Sequence, residues 1–324
     1  MHRVHPAESK RWWRLHISCY VGDTNVGLTN DFLGEMMASV DVLDSVMHYE
    51  QSGVGAPIVF LHGNPTSSYL WRRVLPAVGG PGRLLAPDLI GMGQSGKPDI
   101  GYTFDDHSRY LAAWFDALGL TDVVLVGHDW GGALAFDWAS RNPDRVRGIA
   151  FLETIVRPLT WADLPDGSKA RYDVLRAPGV GEQRVLEENI FIERNIRATI
   201  LGELSDDDLA VYRKPYPTPE SRRPLLQWPR SMPIEGSPAE VVSRMDDYVA
   251  WLAKSIDVPK LLLTFEAGER PTLLIDARLA KWCAENIASL EVEGCGPASH
   301  LAPEDQPEAI GSAIARWLQR QRLR

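Results

Sequence analysis

The sequence predicts an α/β fold with a mostly parallel central sheet, flanking helices and an inserted helical cap. Short apolar runs rich in Val, Ile and Leu alternate with longer segments of helical periodicity, a pattern typical of βαβ units. Helical periodicity starts almost directly after the apolar run at 123–126, with only a turn of small residues between them. Between about residues 155 and 246 prolines crowd the chain and the sheet pattern stops, which indicates the cap (lid).

Strands and helices alternate from residue 39 up to the cap. The first 37 residues do not continue into this pattern, and we predict an N-terminal extension of unknown role. Alternating or continuous short apolar runs predict strands, whereas apolar residues three and four positions apart predict helices. The predicted elements are an antiparallel edge strand at 42–49, a strand at 57–61, a helix at 68–78, a strand at 83–86, a helix at 104–118, a strand at 123–126, a helix at 130–140 and a strand at 146–152.

The sheet pattern resumes after the cap. The predicted elements there are a strand at 259–265, a helix at 275–287, a strand at 289–293 and a closing helix at 307–321. The predicted domains are therefore the extension at 1–37, an α/β core at 38–154 and 247–324, and the helical cap at 155–246.

Composition limits the classes of function. Apolar residues make up 44% of the 324 residues and charged residues 24%, as in ordinary soluble globular proteins. The net charge of −9 disfavours nucleic-acid binding, and no apolar run approaches the roughly 18 residues of a membrane span. Cys19, Cys283 and Cys295 are too few and too scattered for a disulfide framework or a clustered metal site. We expect a cytoplasmic protein without a cofactor, either a monomer or a small homo-oligomer.

The turn after the apolar run at 123–126 carries an acid between two glycines. Gly127, Asp129 and Gly131 have the spacing of a nucleophile elbow, in which glycines permit a sharp strand-to-helix turn that lifts one side chain above the sheet. A carboxylate there can attack a saturated carbon that bears a leaving group and become an alkyl ester. Asp is also a favoured helix N-cap, so the elbow by itself does not establish catalysis.

Other polar residues follow the ends of other predicted strands. Asn64 follows the strand at 57–61, Glu153 follows the strand at 146–152, and His300 lies in the loop after the last strand. Ligands of open α/β sheets bind at the carboxyl ends of the strands, so these side chains are candidates for one site. We interpret His62 and Asp88 as structural: His62 supports the turn before Asn64, and Asp88 ties down the loop 87–98.

Three motifs make the chain resemble a known family. They are His62-Gly63-Asn64-Pro65-Thr66-Ser67-Ser68, Pro87-Asp88-Leu89-Ile90-Gly91-Met92-Gly93-Gln94-Ser95-Gly96-Lys97-Pro98 and Gly127-His128-Asp129-Trp130-Gly131. With them the chain resembles the haloalkane dehalogenases of the α/β-hydrolase fold, from about residue 39 to the C-terminus. Glu153 stands where the branch of the family with Glu as the third member of its triad, to which the coelenterazine luciferases are related, places that residue.

The resemblance implies a role for each strand-end residue. Asp129 would be the nucleophile and His300 the general base, and Asn64 with Trp130 would hold the halide. Indole and amide N–H groups are neutral donors suited to an anion. Each of the two also has an ordinary structural role open to it, since Trp130 could fill the cap interface and Asn-Pro commonly marks a turn.

The acid that orients His300 has two candidates. Glu153 follows an apolar run in which an unpaired carboxylate would be costly, and its surroundings resemble the family. Glu266 follows the strand at 259–265, the other strand end from which related enzymes supply this acid, but its neighbours are polar. We favour Glu153.

Two stretches depart from the family pattern, and three side chains are candidates for the substrate pocket. Pro303 follows shortly after His300, and the loop 268–272 is unusual; either could alter the wall of the pocket. The candidate pocket residues are Trp161, Phe191 and Leu301.

The predicted function is hydrolysis of a small halogenated hydrocarbon to a primary alcohol, halide and a proton, with water as the second substrate. An epoxide hydrolase is the main alternative, because it shares the Asp nucleophile and takes acid tyrosines from its cap. The candidate tyrosines are Tyr172, Tyr212, Tyr216 and Tyr248. A cofactor-free luciferin oxygenase and a binding protein without turnover are further alternatives.

Overall fold

An eight-stranded sheet lies at the centre of the computed structural model, which describes residues 36–268 and 272–324. The strands are β1 Met36–Val42, β2 Ser45–Ser52, β3 Pro57–Leu61, β4 Arg83–Pro87, β5 Val123–Asp129, β6 Val146–Thr154, β7 Lys260–Ala267 and β8 Leu290–Ala298. Their order is β1-β2-β4-β3-β5-β6-β7-β8. The pairs β1–β2 and β2–β4 are antiparallel, and the other five pairs are parallel.

Twelve α-helices accompany these strands within the described residues. They are α1 Val74–Val78, α2 Phe104–Ala117, α3 Trp130–Arg141, α4 Ser168–Arg176, α5 Val180–Glu182, α6 Ile196–Ala198, α7 Asp206–Arg213, α8 Arg223–Ser231, α9 Ala239–Leu252, α10 Ala277–Asn286, α11 Ala302–Asp305 and α12 Pro307–Arg320. Two π-helical turns, Gln183–Glu187 and Phe191–Asn195, lie between α5 and α6. Short 3₁₀ segments occur at Ser68–Trp71, Pro143–Arg145, Trp161–Asp163 and Glu220–Arg222.

Apolar strands make the middle of the sheet the core of the molecule. All seven residues of β5 are buried, and eight of the nine residues of β6 are buried as well. Helices cover both faces of parallel strands like these. Because residues on both faces are then buried, the strand sequences are continuously apolar. Helix α1 packs against α12, and α3 packs against α2 and α9. Because β3, β5 and β6 are parallel neighbours, their carboxyl ends lie at the same edge of the sheet.

The predicted edge strand at 42–49 is corrected to a hairpin. Strand β1 starts at Met36 and pairs antiparallel with β2 through a turn at Leu43 and Asp44. Leu43 has φ 53°, a left-handed conformation that gives no signal in the sequence because leucine rarely adopts it. Of the predicted extension, only residues 36 and 37 are described, and both belong to β1; the prediction for residues 1–35 lies outside the described chain.

The predicted helix at 68–78 is likewise two pieces, a 3₁₀ turn and helix α1. The Arg72 N–H bonds to the Tyr69 carbonyl, three residues back. This spacing is that of a 3₁₀ helix, whereas an α-helix bonds to the carbonyl four residues back.

The predicted end of the cap at residue 246 falls inside helix α9. Arg244 of α9 bonds to Asp137 of α3 at 2.8 and 2.7 Å. The Tyr248 hydroxyl, one turn later, donates to the Ile155 carbonyl at 2.7 Å. Helix α9 is thus continuous across residue 246, with Arg244 bonded to α3 and Tyr248 bonded to the residue that follows β6.

Candidate active site

Strand β5 passes into helix α3 through a sharp turn centred on Asp129. Asp129 has φ 52° and ψ −128°, a backbone conformation that side chains other than glycine rarely adopt. A Cβ atom on Gly131 would lie 2.2 Å from the Leu61 carbonyl oxygen, and one on Gly127 would lie 2.4 Å from Cα of Gly132. The turn therefore needs both glycines. Among the described residues the Asp129 side chain makes no N-cap hydrogen bond to α3, although the backbone N–H of Trp130, the first helical residue, contributes to lowering its pKa.

His300 lies between two carboxylates. Its Nε2 is 3.4 Å from Oδ2 of Asp129, and its Nδ1 is 3.2 Å from Oε2 of Glu153. Burial would lower the pKa of His300, but hydrogen bonds and charges from Asp129 and Glu153 outweigh burial and raise it to about 10. Burial would raise the pKa of Asp129, but hydrogen bonding and charge from His300 keep it below the ordinary value. The structure thus brings Asp129, His300 and Glu153 together.

Glu153 reaches His300 because strand β6 is irregular at this residue. The pairing of β5 with β6 shifts register between His128 and Asp129. Asp129 therefore pairs with Thr154, and Glu153 has no paired residue on β5. Glu153 has φ 44°, and its carboxylate also accepts hydrogen bonds from the N–H groups of Leu274 at 2.7 Å and Ile275 at 3.1 Å. The bulge turns the carboxylate out of the sheet toward the imidazole.

Glu266 lies elsewhere. It is exposed near the end of β7 and pairs with Pro297 of β8 in the sheet. Glu153, whose side chain is 1% exposed, is the acid that faces His300.

Neighbouring segments hold the His300 loop in place. Nε2 of His128, the residue before the elbow acid, donates to the His300 carbonyl at 2.7 Å. Burial lowers the pKa of His128 to about 4, so this imidazole is neutral near pH 7. The Leu301 N–H bonds to the carbonyl of Thr199, between α6 and α7, at 2.9 Å. Pro303 lies in the first turn of α11, where its missing N–H breaks no helical bond.

The loop after β3 carries Asn64 to the elbow. The Asn64 N–H donates to Oδ1 of Asp129 at 2.7 Å. The Asn64 side chain lines the cavity described below, and its Oδ1 is buried without a hydrogen-bond partner among the described residues. Nδ1 of His62 donates to the Gly63 carbonyl at 3.0 Å, and Nε2 accepts from the Leu89 N–H at 2.9 Å. The predicted supporting role of His62 is confirmed.

Asp88 ties down the loop 87–98 as predicted. Its carboxylate accepts hydrogen bonds from the N–H groups of Ser68 and Gln94, both at 2.7 Å, and lies 3.1 Å from Nδ1 of His48. One buried carboxylate therefore fixes β2, the 3₁₀ turn after β3 and the loop after β4.

Trp130, the first residue of α3, is 3% exposed and lines the same cavity. Its ring stacks on Trp228 of α8 with centroids 4.7 Å apart and lies 5.9 Å from the ring of Phe104. Trp228 was not among the residues singled out from the sequence. The available signal was an aromatic residue inside the apolar pattern of a cap helix, which does not reveal its partner.

A cavity of about 360 Å³ lies above the elbow. Asn64, Asp129, Trp130 and His300 contribute to its floor, and side chains from the predicted cap contribute to its walls. Of the predicted pocket residues, Phe191 and Leu301 line the cavity. The apolar lining residues that sequence reasoning missed are Pro65, Leu164, Pro165, Leu175, Ile196, Ala198, Pro229, Met232, Leu273 and Leu274.

The structure corrects the prediction that Trp161 lines the pocket. Trp161 is half-buried and lies outside the lining formed by the described residues. Its ring centroid is 6.2 Å from that of Tyr172, which does line the cavity. Trp161 therefore contributes only indirectly, as a support for Tyr172.

Three of the four candidate tyrosines have other surroundings. The Tyr212 hydroxyl donates to Glu304 at 2.5 Å, and the Tyr248 hydroxyl donates to the Ile155 carbonyl at 2.7 Å. Tyr216 is 1% exposed and lies under the ammonium group of Lys97, 5.2 Å from the ring centroid. Only Tyr172 of the four is part of the cavity lining.

The unusual loop at 268–272 is described at its two ends, whereas residues 269–271 lie outside the described chain. Thr272 lines the cavity, and its hydroxyl bonds to the Ser299 hydroxyl beside His300. In the described ranges no group of three or more His, Cys, Asp or Glu side chains is arranged to hold a metal ion, and no helix is long and apolar enough to cross a membrane.

Comparison with known proteins agrees with this geometry. Residues 56–176 match a family model described as alpha/beta hydrolase fold. A haloalkane dehalogenase from Mesorhizobium japonicum is 48% identical over 287 residues, which cover 87% of this chain and 90% of the relative. A second, from Agrobacterium fabrum, is 49% identical over 85% of this chain and 88% of its own length.

The chain belongs to the haloalkane dehalogenase family. Solved structures support the same conclusion. The haloalkane dehalogenase DatA from Agrobacterium tumefaciens matches with a TM-score of 0.84 and 45% identity over 89% of this chain and 98% of its own. DbeA from Bradyrhizobium elkani matches with a TM-score of 0.85 and 43% identity over 89% and 99%. The α/β-hydrolase fold and the haloalkane dehalogenase family predicted from the motifs are confirmed.

Proposed function

We propose that this dehalogenase hydrolyses haloalkanes to primary alcohol, halide and a proton through a covalent alkyl ester on Asp129. The observation that carries the proposal is the Asp129 carboxylate at the floor of a largely apolar cavity, with His300 3.4 Å away and Asn64 and Trp130 beside it. Such a cavity removes water from the carboxylate, which favours attack on a carbon atom over solvation of the charge.

In the first step Oδ2 of Asp129 attacks the carbon that bears the halogen. The carbon–oxygen bond forms as the carbon–halogen bond breaks, and the halide leaves with the bonding electron pair. Asn64 and Trp130 line the cavity next to the nucleophile, and their side-chain N–H groups would stabilise the departing anion.

In the second step a water molecule hydrolyses the ester. His300 takes a proton from the water, and the oxygen attacks the carbonyl carbon of the Asp129 ester. The negative charge that develops on Oδ1 would be stabilised by the backbone N–H of Asn64, which already donates to this oxygen at 2.7 Å. Collapse of this intermediate releases the alcohol and restores the carboxylate, and one proton passes to solvent.

Esterification also prepares His300 to act as the base. The charge and hydrogen bond of Asp129 are among the causes that raise the pKa of His300 to about 10. Once Asp129 is an ester that charge is gone, so the pKa of His300 falls and the imidazole can become neutral. The Glu153 carboxylate, 3.2 Å from Nδ1 of His300, then stabilises the imidazolium that forms when water loses its proton.

The geometry does not favour the epoxide hydrolase alternative. Opening an epoxide yields an alkoxide that needs an acid, and among the four candidate tyrosines only Tyr172 lines the cavity. Burial raises the pKa of Tyr172 to about 12, which makes it a weaker acid than an exposed tyrosine. Nothing in the described cavity favours the luciferin oxygenase or a binding protein without turnover.

Halide release tests the proposal. Purified protein should release bromide from 1-bromobutane or 1,2-dibromoethane, followed with a halide-sensitive dye, and should leave styrene oxide intact. The Asp129→Asn variant, which keeps the volume of the side chain but lacks its charge, should release no bromide. If the protein opened styrene oxide and released no halide from a broad panel, the proposed reaction would be wrong.

We further propose that the protein works in the cytoplasm as a monomer or small homo-oligomer, with Phe191 and Leu301 selecting among haloalkanes. Cys283 and Cys295 are buried free thiols, which fits a reducing compartment. Light scattering after size-exclusion chromatography tests the oligomeric state, and a mass above a tetramer would contradict it. Substrate panels with Phe191→Ala and Leu301→Ala test the pocket, where an unchanged order of preference would contradict the role.

A further inference from the structure

A stack of flat rings extends from the cavity into the core. Trp130 stacks on Trp228 with ring centroids 4.7 Å apart and planes at 24°. Trp228 also stacks on His107 of α2, at 4.1 Å and 21°. Trp228 is fully buried and His107 is 1% exposed, so solvent does not contact either ring.

Trp228 comes from a cap helix but is anchored in the core. Its indole N–H donates to Sδ of Met92, in the loop 87–98, at 3.3 Å. At the other end of α8, Arg223 donates to the Asp99 carboxylate and to the Ile100 carbonyl, both at 2.6 Å. These contacts fix the position of α8 on the core, and with it the plane of the Trp228 ring.

His107 contributes a flat surface rather than a hydrogen bond. Both of its ring nitrogens are buried without a hydrogen-bond partner among the residues that the structure describes. Burial lowers the pKa of His107 to about 3, so the ring is neutral at any pH at which the enzyme would be assayed. Its remaining strong contacts are the stack on Trp228 and the ring of Tyr102, whose centroid is 6.2 Å away.

We infer that Trp228, supported by His107, is a positioning residue that fixes the ring plane of Trp130 and thereby directs its indole N–H at the departing halide. This inference rests on the proposed function, in which Trp130 is a halide donor. The indole N–H lies in the ring plane and has one direction, so a rotation of the ring misdirects the hydrogen bond. Parallel packing against a second immobile ring opposes that rotation.

The test separates halide stabilisation from general loosening of the fold. In Trp228→Leu the flat support is lost, and we expect a roughly tenfold weaker inhibition by bromide, because a hydrogen bond to an anion is sensitive to its angle. Ester formation, measured as the rapid-quench burst of bromide from 1-bromobutane, should slow by a similar factor. Hydrolysis of the ester should change much less, because attack by water on the ester does not use the indole N–H of Trp130.

Two further variants keep the test informative where Trp228→Leu does not fold. Trp228→Phe retains a flat ring, so bromide inhibition should stay within about threefold of the wild type, given that aromatic stacking survives. His107→Leu removes the ring beneath Trp228 and should weaken bromide inhibition in the same direction as Trp228→Leu, by less.

Trp138→Leu is the matched control. Trp138 is also a buried tryptophan, stacked on Phe115 at 3.9 Å and 20°, and neither residue lines the cavity. It should lose stability without a change in bromide inhibition. A folded Trp228→Leu or His107→Leu protein with wild-type bromide inhibition, or one in which both steps slow equally, would overturn the inference.

Trp130→Leu tells the two proposals apart. If it weakens bromide inhibition while Trp228→Leu and His107→Leu do not, the positioning role is wrong and the halide role of Trp130 stands. If Trp130→Leu itself leaves bromide inhibition unchanged, the halide role fails, and the positioning role fails with it.

Discussion

His300 contacts one carboxylate with each ring nitrogen, and its protonation links the two steps of the proposed reaction. In the free enzyme both carboxylates hold the ring in its charged form, which is why its pKa is raised to about 10. The ester step removes one of the two charges. Esterification of Asp129 therefore makes the base available at the step that needs it, the hydrolysis of the ester.

This arrangement gives the two steps different pH dependences. The pKa of Asp129 lies below its ordinary value, so Asp129 stays ionised and ester formation should be nearly constant down to about pH 5. Ester hydrolysis needs neutral His300, so its rate should fall as the pH drops through the pKa of His300 in the ester. Rapid-quench measurements between pH 5 and 9 should therefore show the ester accumulating at acidic pH. Slowing of ester formation before hydrolysis on acidification would contradict the assignment.

The identity of the acid is tested by a pair of matched substitutions. Glu153→Gln removes the charge that faces Nδ1 of His300, and we expect ester hydrolysis to slow by roughly a hundredfold or more, as for other orienting acids. Glu266→Gln changes an exposed side chain near the end of β7 and should leave kcat within about twofold, as for most surface substitutions. The reverse result would move the third triad member to β7.

At the scale of the element, the elbow and the bulge in β6 place their acids through backbone strain. Asp129 and Glu153 both have positive φ, at 52° and 44°. Such conformations cost of the order of 1 to 3 kcal/mol each and persist only where the surroundings impose them. Buried strands on either side and the close packing of Gly131 against β3 impose them here.

Gly131→Ala tests this packing. The added Cβ would meet the carbonyl oxygens of Leu61 and His62 at 2.2 and 2.4 Å, and backbone cannot move aside as a side chain can. We expect a loss of roughly 1 to 3 kcal/mol in the free energy of unfolding by urea, together with loss of turnover. Gly294→Ala is the control, because its Cβ would meet only Oγ1 of Thr264 at 4.0 Å. Equal effects of the two substitutions would show that the elbow is not tightly packed.

At the scale of the whole molecule, Glu304 of α11, shortly after His300, joins three parts of the chain. It connects its own helix to Arg72 and Arg73 of the core and to Tyr212 of helix α7. Its carboxylate is 1% exposed and accepts hydrogen bonds from Arg72 at 2.6 and 3.0 Å, from Tyr212 of α7 at 2.5 Å, and from Arg73. Next to it, Asp305 accepts from the N–H groups of Ser299 at 2.9 Å and Leu201 at 2.8 Å. The residues after His300 therefore also hold the cavity wall on the core.

Glu304→Gln should lower the free energy of unfolding by roughly 2 to 3 kcal/mol, since it removes one partner of a buried charge cluster whose arginines still reach water. The control is Glu293→Gln, which affects a pair with Arg316 on the surface and should change stability by at most about 0.5 kcal/mol. Urea unfolding measures both. A loss of stability in Glu304→Gln no larger than that in Glu293→Gln would contradict the stabilising role of Glu304.

The parts of this structure that local sequence signals determine could be predicted. The parallel core and the elbow follow from apolar runs and glycine spacing, and the strand-end positions of Asn64, Glu153 and His300 follow from those elements. The sequence wrongly predicted that Trp161 lines the pocket, and it gave no sign that Trp228 stacks on Trp130. Both positions depend on how the cap helices pack on the core, which local sequence does not determine. The β1–β2 hairpin was missed because its turn uses Leu43 in a left-handed conformation, for which leucine gives no signal.

Trapping the covalent intermediate tests the central claim most directly. His300→Phe keeps an aromatic ring in place but cannot accept a proton, so it should release about one bromide per molecule from 1-bromobutane and then stop. Intact mass spectrometry should show the addition of one butyl group, and peptide mapping should locate it on Asp129. Continued turnover by His300→Phe, or a burst of bromide without an alkylated Asp129, would contradict the account.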